Sequence, residues 1–179
     1  MFKRLSRQQR QQFKTQALVH LEALMRTAVR LCGSAEKAED AVQQTYLQAW
    51  KYWGTFEEGT NCKSWLFRIL FNVIKKEYCA KETELIDDAA VAGNLLYFTP
   101  DRRIQAYEVM EAFELLREEH RAILLLVAVE EMSYREAAFA LKIPVGTVMS
   151  RLNRARVELR KLLENPEHRK NTRAKANYN

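Results

Sequence analysis

"SYREAAFALKIPVGTVMSRLNRARVEL", residues 133–159, holds two helices and the joint between them. Ser133 suits an N-cap, and Ala137, Ala138 and Leu141 fall at the spacing of one helix face. A short turn at Lys142 to Val145 leads into a longer helix whose Val148, Leu152, Ala155 and Leu159 stand at i, i+4, i+7 and i+11. A capped small-residue helix, a tight turn and a second helix with one apolar stripe make a helix-turn-helix. The stripe leaves Ser150, Arg151, Asn153 and Arg154 outside. Gly146 has no side chain where backbone N–H groups and the helix dipole can approach a phosphate. Arg151, Arg154, Arg156, Arg160 and Lys161 meet only Glu158 along this helix. A solvated face is the ordinary meaning of such a charge run. With the cap, the turn and the Gly-Thr start beside it, DNA binding is the stronger meaning, since Thr147, Ser150, Asn153 and the arginines are types that bond base edges or phosphates.

The rest of the chain extends this helical reading. Only 5 Gly and 3 Pro occur in 179 residues, of which 47% are hydrophobic, so the expected class is all-α rather than turn-rich sheet. That length suits one ordinary domain or two small ones, and the net charge of +6 favours a polyanionic partner. Phe13, Ala17, Leu21, Leu24, Ala28 and Leu31 predict a first helix ending near Gly33, after which Ser34 resets the register. Ala38, Ala41, Val42, Thr45, Ala49 and Trp53 predict a second. Beyond a loop at 54–64, a third helix sets Trp65, Leu66, Ile69, Leu70 and Val73 against Arg68, Asn72, Lys75 and Lys76 on its other face. Periodicity fails from Glu84 to Arg103. Four shorter helices then follow, at Ile104 to Leu116, Glu119 to Glu130, Tyr134 to Leu141 and Val145 to Leu163. The expected organisation is a three-helix domain over 1–84, a flexible linker over 85–103, a four-helix domain over 104–163 and a disordered tail over 164–179.

Several function classes drop out. Cys32, Cys62 and Cys79 are odd in number without a CxxC pair, and His20, His120 and His168 lie scattered, which argues against a disulfide or metal site. No Gly-rich phosphate loop and no nucleophile with its base suggest an enzyme, so no catalytic residue and no cofactor are expected. The basic opening "MFKRLSRQQRQQF" is not a signal peptide, and no run nears the roughly 20 apolar residues of a membrane span. The expected place is the cytoplasm, without stable membrane insertion.

Residues 133–159 resemble the fourth conserved region of bacterial RNA polymerase sigma factors of the extracytoplasmic-function (ECF) group. "AEDAVQQTYLQAW" (38–50) followed by "SWLFRILFNVIKK" (64–76) resembles that group's second conserved region, in the same order and at similar separation. Two motifs in the family's order are far more specific than a helix-turn-helix alone. The resemblance covers residues 10–163 and implies a subunit that binds core RNA polymerase, directs it to promoters and helps open them. The implied partners are core polymerase, promoter DNA as duplex and as melted strand, and an anti-sigma factor. By the same resemblance, Asp40, Gln43, Gln44 and Leu47 form the polymerase-docking face. Asn61, Lys63, Arg68, Asn72, Lys75 and Lys76 serve the minus-ten element. Arg135, Thr147, Met149, Ser150, Arg151, Asn153 and Arg154 serve the minus-thirty-five element. The chain departs from the family pattern at Gln44, where an acid is usual, and at Met149, where many relatives carry a base. Methionine packs on a thymine methyl but cannot make the bidentate guanine contact. The alternative is a helix-turn-helix repressor or activator acting without replacing sigma; it predicts a ligand pocket or pairing heptad and leaves residues 38–76 unexplained.

Overall fold

The computed structural model describes residues 5–57, 59–77, 100–165 and 169, and among them there are helices and turns but no strand. The N-terminal half contains α1 (Arg7–Gln16), α2 (Leu21–Cys32), α3 (Ala35–Tyr52) and α4 (Cys62–Glu77). The C-terminal half contains α5 (Pro100–Glu114), α6 (Glu118–Leu124) running into a π-helical turn at Leu125–Val129, α7 (Tyr134–Leu141) and α8 (Val145–Glu164).

Serine caps set three of the starts. Ser6 and Gln9 form a reciprocal capping box on α1, and Ser133 and Glu136 form another on α7. Ser34 accepts from the Lys37 N–H at 3.4 Å to open α3. Gly33, at φ 67°, closes α2 in the left-handed conformation that glycine adopts without a Cβ clash.

The first predicted helix is interrupted. Leu18–His20 form a 3-10 turn that separates α1 from α2, so Leu21 is left 45% exposed instead of joining Leu24 inside. The Tyr46 hydroxyl of α3 donates to the Ala17 carbonyl at 3.1 Å at this break, drawing on a carbonyl that a continuous helix would use in its own ladder. Four α-helical segments therefore stand where three were expected, within the same all-α architecture.

On α3 the expected stripe is the observed one: Ala38, Ala41, Val42, Thr45 and Ala49 are buried, with Trp53 buried just beyond. On α4 the apolar arc is broader than expected. Leu66, Phe67, Leu70, Val73 and Ile74 are buried, while Trp65 and Ile69 are only partly so. The reason is that α4 packs on two sides, against α3 and against α7 of the other half, so Phe67 and Ile74 are covered as well. Trp65 joins an aromatic group in which Trp53 stacks on Phe56 at 5.0 Å and meets Phe13 edge-on at 5.0 Å.

In the C-terminal half α5 begins at Pro100, four residues before the expected start, a position where proline's missing N–H costs nothing. Ala137, Ala138 and Ala140 of α7 pack inward, as do Val148, Leu152, Ala155 and Leu162 of α8, with Leu141 and Leu159 only partly covered. Arg169, within the stretch expected to be a disordered tail, donates to the Leu162 carbonyl at 3.2 Å and pairs with Glu111 at 3.3 Å. That part of the tail sits against α5 and α8. Of the linker expected over 85–103, residues 85–99 lie outside the described residues and 100–103 form the start of α5; most of the tail also lies outside the described residues. Buried apolar residues of both halves form one continuous cluster, with α4 on α7 and α2 on α6 across the seam.

Candidate nucleic-acid interface

The helix-turn-helix presents its polar side outward. The α8 backbone starts on Pro144, whose carbonyl accepts from the Thr147 and Val148 N–H groups at 2.9 and 3.1 Å. Lys142, at φ 55°, makes the left-handed bend that turns α7 into α8. With Val148, Leu152 and Ala155 inward, Met149, Ser150, Asn153 and Arg154 are exposed, and Met149 shows 53% of its surface. Thr147 is half-buried at the start, and Arg135 is exposed in the first turn of α7. The space around Gly146 is open, so the backbone there can be approached closely. Arg151 is held: its guanidinium lies 3.0 Å from Glu119 of α6. A partly exposed pair of this kind is worth about 0–1 kcal/mol, so a phosphate can replace the glutamate.

A second face lies on α3. Asp40, Gln43, Gln44 and Leu47 are all exposed on the side away from the buried stripe, with Leu47 at 62%. An apolar side chain that open, among polar neighbours, suits a helix-on-helix contact.

The third group divides in two. Asn72, Lys75 and Lys76 are exposed along the later turns of α4. Asn61, Lys63 and Arg68 instead touch the C-terminal half. Asn61 Oδ1 accepts from the Ser64 N–H at 2.9 Å at the start of α4, and its Nδ2 donates to Glu136 Oε1 of α7. Lys63 Nζ lies 2.9 Å from Glu130 Oε2 and donates to the Glu130 carbonyl at 2.8 Å. The Arg68 guanidinium stands over the Phe139 ring, 4.7 Å from its centroid. The loop before α4 bends at Gly59, φ 89°, with the Thr60 hydroxyl donating to the Glu57 carbonyl at 2.7 Å. Glu58 lies outside the described residues.

Periodicity offers no sign of Glu130, the residue at the centre of these contacts. Its side chain is 0% exposed, and Arg26 of α2 reaches its Oε1 through Nη2 at 2.9 Å and Nε at 3.0 Å. Glu136 is held below the usual carboxylate range, first by the Ser133 hydroxyl, then by the Ser133 N–H, with Asn61 and Lys63 adding to it. Burial pushes the Cys62 thiol up to about 11, which leaves it protonated and a poor nucleophile near neutral pH. Burial likewise lowers His20, with nearby Lys63 acting in the same direction and Glu130 in the other. Among the described residues there is no group of three His, Cys, Asp or Glu placed to hold a metal, and no helix is long and apolar enough to cross a membrane.

The two halves match two family models in order: "Sigma-70 region 2" over residues 18–83 and "Sigma-70, region 4" over residues 106–159. The chain is 34% identical over 148 residues to the ECF RNA polymerase sigma factor EcfG of Rhodopseudomonas palustris, covering 82% of each chain. It is similar in fold to the sigma factor RpoE of Bartonella quintana, solved in complex with the anti-sigma factor NepR, at TM-score 0.71 and 30% identity over 86% of this chain and 98% of that one. A TM-score of 0.65, at 26% identity, relates it to CnrH, solved in complex with the cytosolic domain of CnrY, over 87% of this chain and 89% of that one. The second-region and fourth-region halves, found here in one chain and in the family's order, place the protein: it belongs to the ECF group of RNA polymerase sigma factors.

Proposed function

We infer that this chain binds core RNA polymerase, brings it to promoters and takes part in opening them. The observation that carries the reading is the division of α8, where Val148, Leu152 and Ala155 are buried while Met149, Ser150, Asn153 and Arg154 stand exposed on the second helix of a helix-turn-helix. In this reading residues 104–163 form the domain that meets the minus-thirty-five duplex, Arg135, Arg151 and Arg154 on phosphates and Thr147, Met149, Ser150 and Asn153 at or beside base edges. Residues 1–84 form the domain that docks on polymerase through Asp40, Gln43, Gln44 and Leu47. The same domain takes the melted minus-ten strand with Asn61, Lys63, Arg68, Asn72, Lys75 and Lys76. Residues 85–103 join the two. The loop over 57–64 selects one extruded base, whose unstacking costs a few kcal/mol that the melted promoter has partly supplied. The chain acts in the cytoplasm, without catalysis or a cofactor of its own. The two solved relatives captured with partner proteins support an anti-sigma partner here as well.

Transcription by purified core polymerase from a promoter library, with this chain as the sole added factor, tests the assignment. Discrete starts downstream of a shared pair of elements are expected. A repressor or activator that does not replace sigma yields none, and this result would overturn the reading.

A further inference from the structure

Glu158 is the one acid between Arg151 and Lys161 of α8, on a helix where a carboxylate repels phosphate. Its Oε2 lies 2.6 Å from Nδ1 of His120, a buried ring on α6. An ionised carboxylate only accepts, so the ring donates. The neighbouring residue of α6, Glu119, holds Arg151. We propose that His120 is a positioning residue for promoter selectivity: through Glu158 it fixes how far α8 is turned about its own axis, and so which bases its side chains reach. The proposal rests on the minus-thirty-five role of α8.

Apolar packing alone sets that rotation loosely. Val148, Leu152 and Ala155 bury one side of α8, but the attraction between apolar surfaces has no direction, and Ala155 has only a methyl group with which to resist a turn. A hydrogen bond weakens steeply when bent, so it opposes rotation where packing does not. Arg151 and Glu158 stand two turns apart on one side of α8, about 10 Å by the helical rise, and adjacent residues of α6 hold them both. DNA treats the two contacts differently. In its proposed role Arg151 gives up Glu119 to take a phosphate. No phosphate competes for Glu158, so the His120 bond remains to hold α8 while DNA is bound.

The reading side is sensitive to that hold. A turn of about 10° moves atoms about 5–6 Å from the helix axis by about 1 Å. Hydrogen-bond lengths span only about half of that, so Ser150 and Asn153 lose the base edges they read and Met149 shifts on its apolar contact. Attraction between Arg154 and a phosphate falls off more gently with distance. Loosening α8 therefore lowers selectivity while general affinity for DNA is retained.

The test forms holoenzyme from core polymerase and the full chain carrying Glu158→Ala, Glu158→Gln or His120→Leu, and sequences transcripts from a promoter library randomised in both elements. The two Glu158 changes remove the same charge, but glutamine keeps an oxygen that accepts from the ring. Preference at the minus-thirty-five element is expected to flatten roughly tenfold in Glu158→Ala and His120→Leu, the scale of one lost base contact, with minus-ten preference unchanged. Glu158→Gln is expected to stay near the parent. A lower transcript yield with both preferences intact shows a merely structural role and overturns the proposal. Equal flattening by alanine and glutamine overturns it too, since lost charge alone produces that. If His120→Leu fails to fold, the two changes at Glu158, whose side chain is 33% exposed, carry the test. The reading of α8 fails differently: a parent with no preference at the minus-thirty-five element refutes α8 as a base reader and the positioning role with it.

Discussion

Helices α4 and α8 are built alike and situated differently. Each buries one stripe and turns cations and amides away from it. On α8 nearly all of that polar side is open, and Arg151 borrows a glutamate from the adjacent surface. On α4 the polar side is cut across by α7, so Lys63 and Arg68 are engaged while Lys75 and Lys76 are exposed. The same amphipathic pattern thus produces an available surface in one helix and a partly withheld one in the other. A helical stripe tells which residues avoid the local core; it is silent about what the rest of the chain lays over them.

The sharpest test of that contrast removes cations from the buried seam that α4 joins and from the open face of α8. Arg26→Met with Lys63→Met strands a buried carboxylate, and chemical denaturation is expected to show a loss of about 3–5 kcal/mol, less if the halves part and let water in. Arg151→Ala with Arg154→Ala removes cations from an open face and is expected to cost under about 1 kcal/mol in the same measurement. Equal losses would erase the distinction between the helices.

Binding separates them in the opposite sense. Arg154→Ala is expected to leave the fold within about 0.5 kcal/mol of the parent and to reduce the salt slope of duplex promoter binding by about one unit. An unchanged slope in a filter-binding titration removes α8 from the DNA surface.

The capping box of α7 gives a smaller effect. Ser133→Ala is expected to cost about 1 kcal/mol by leaving an N–H of the first turn of α7 without its acceptor. The same change bears on pH. Glu136 is depressed chiefly by the Ser133 hydroxyl, so its stabilisation is complete above the carboxylate's unfolded value and is lost as pH falls through the lower folded value. Melting temperature against pH should therefore show an acid limb that is shallower in Ser133→Ala. An identical limb would mean that Glu136 carries no part of it.

What was legible in the chain follows the range of the interactions. The α3 stripe, the Ser133 cap and the inward face of α8 depend on neighbours a few residues apart, and spacing alone located them. The division of the first helix depends on a tyrosine 29 residues from the carbonyl it reaches, and the Glu130 contacts join residues 67 and 104 apart. No local pattern encodes such pairs. Glu130 also sits beside Glu131 at the end of an apolar run, where an acid reads as the solvated close of a helix. The docking role proposed for α3 came from the family resemblance; spacing by itself marked those residues only as a polar side.

The openness of α3 has a consequence for the order of events. A partner arriving at Asp40, Gln43, Gln44 and Leu47 meets the same exposed surface whether the seam between α4 and α7 is closed or parted. Its encounter rate is then set by diffusion and orientation, with no waiting for a minor conformer. A strand arriving at Lys63 and Arg68, on the minus-ten role proposed for them, first has to displace Glu130 and Phe139. On these proposed roles capture by polymerase comes first and engagement of the melted strand second, so a kinetic trace of assembly should be a single bimolecular step, with the slower unimolecular phase appearing only when DNA is present.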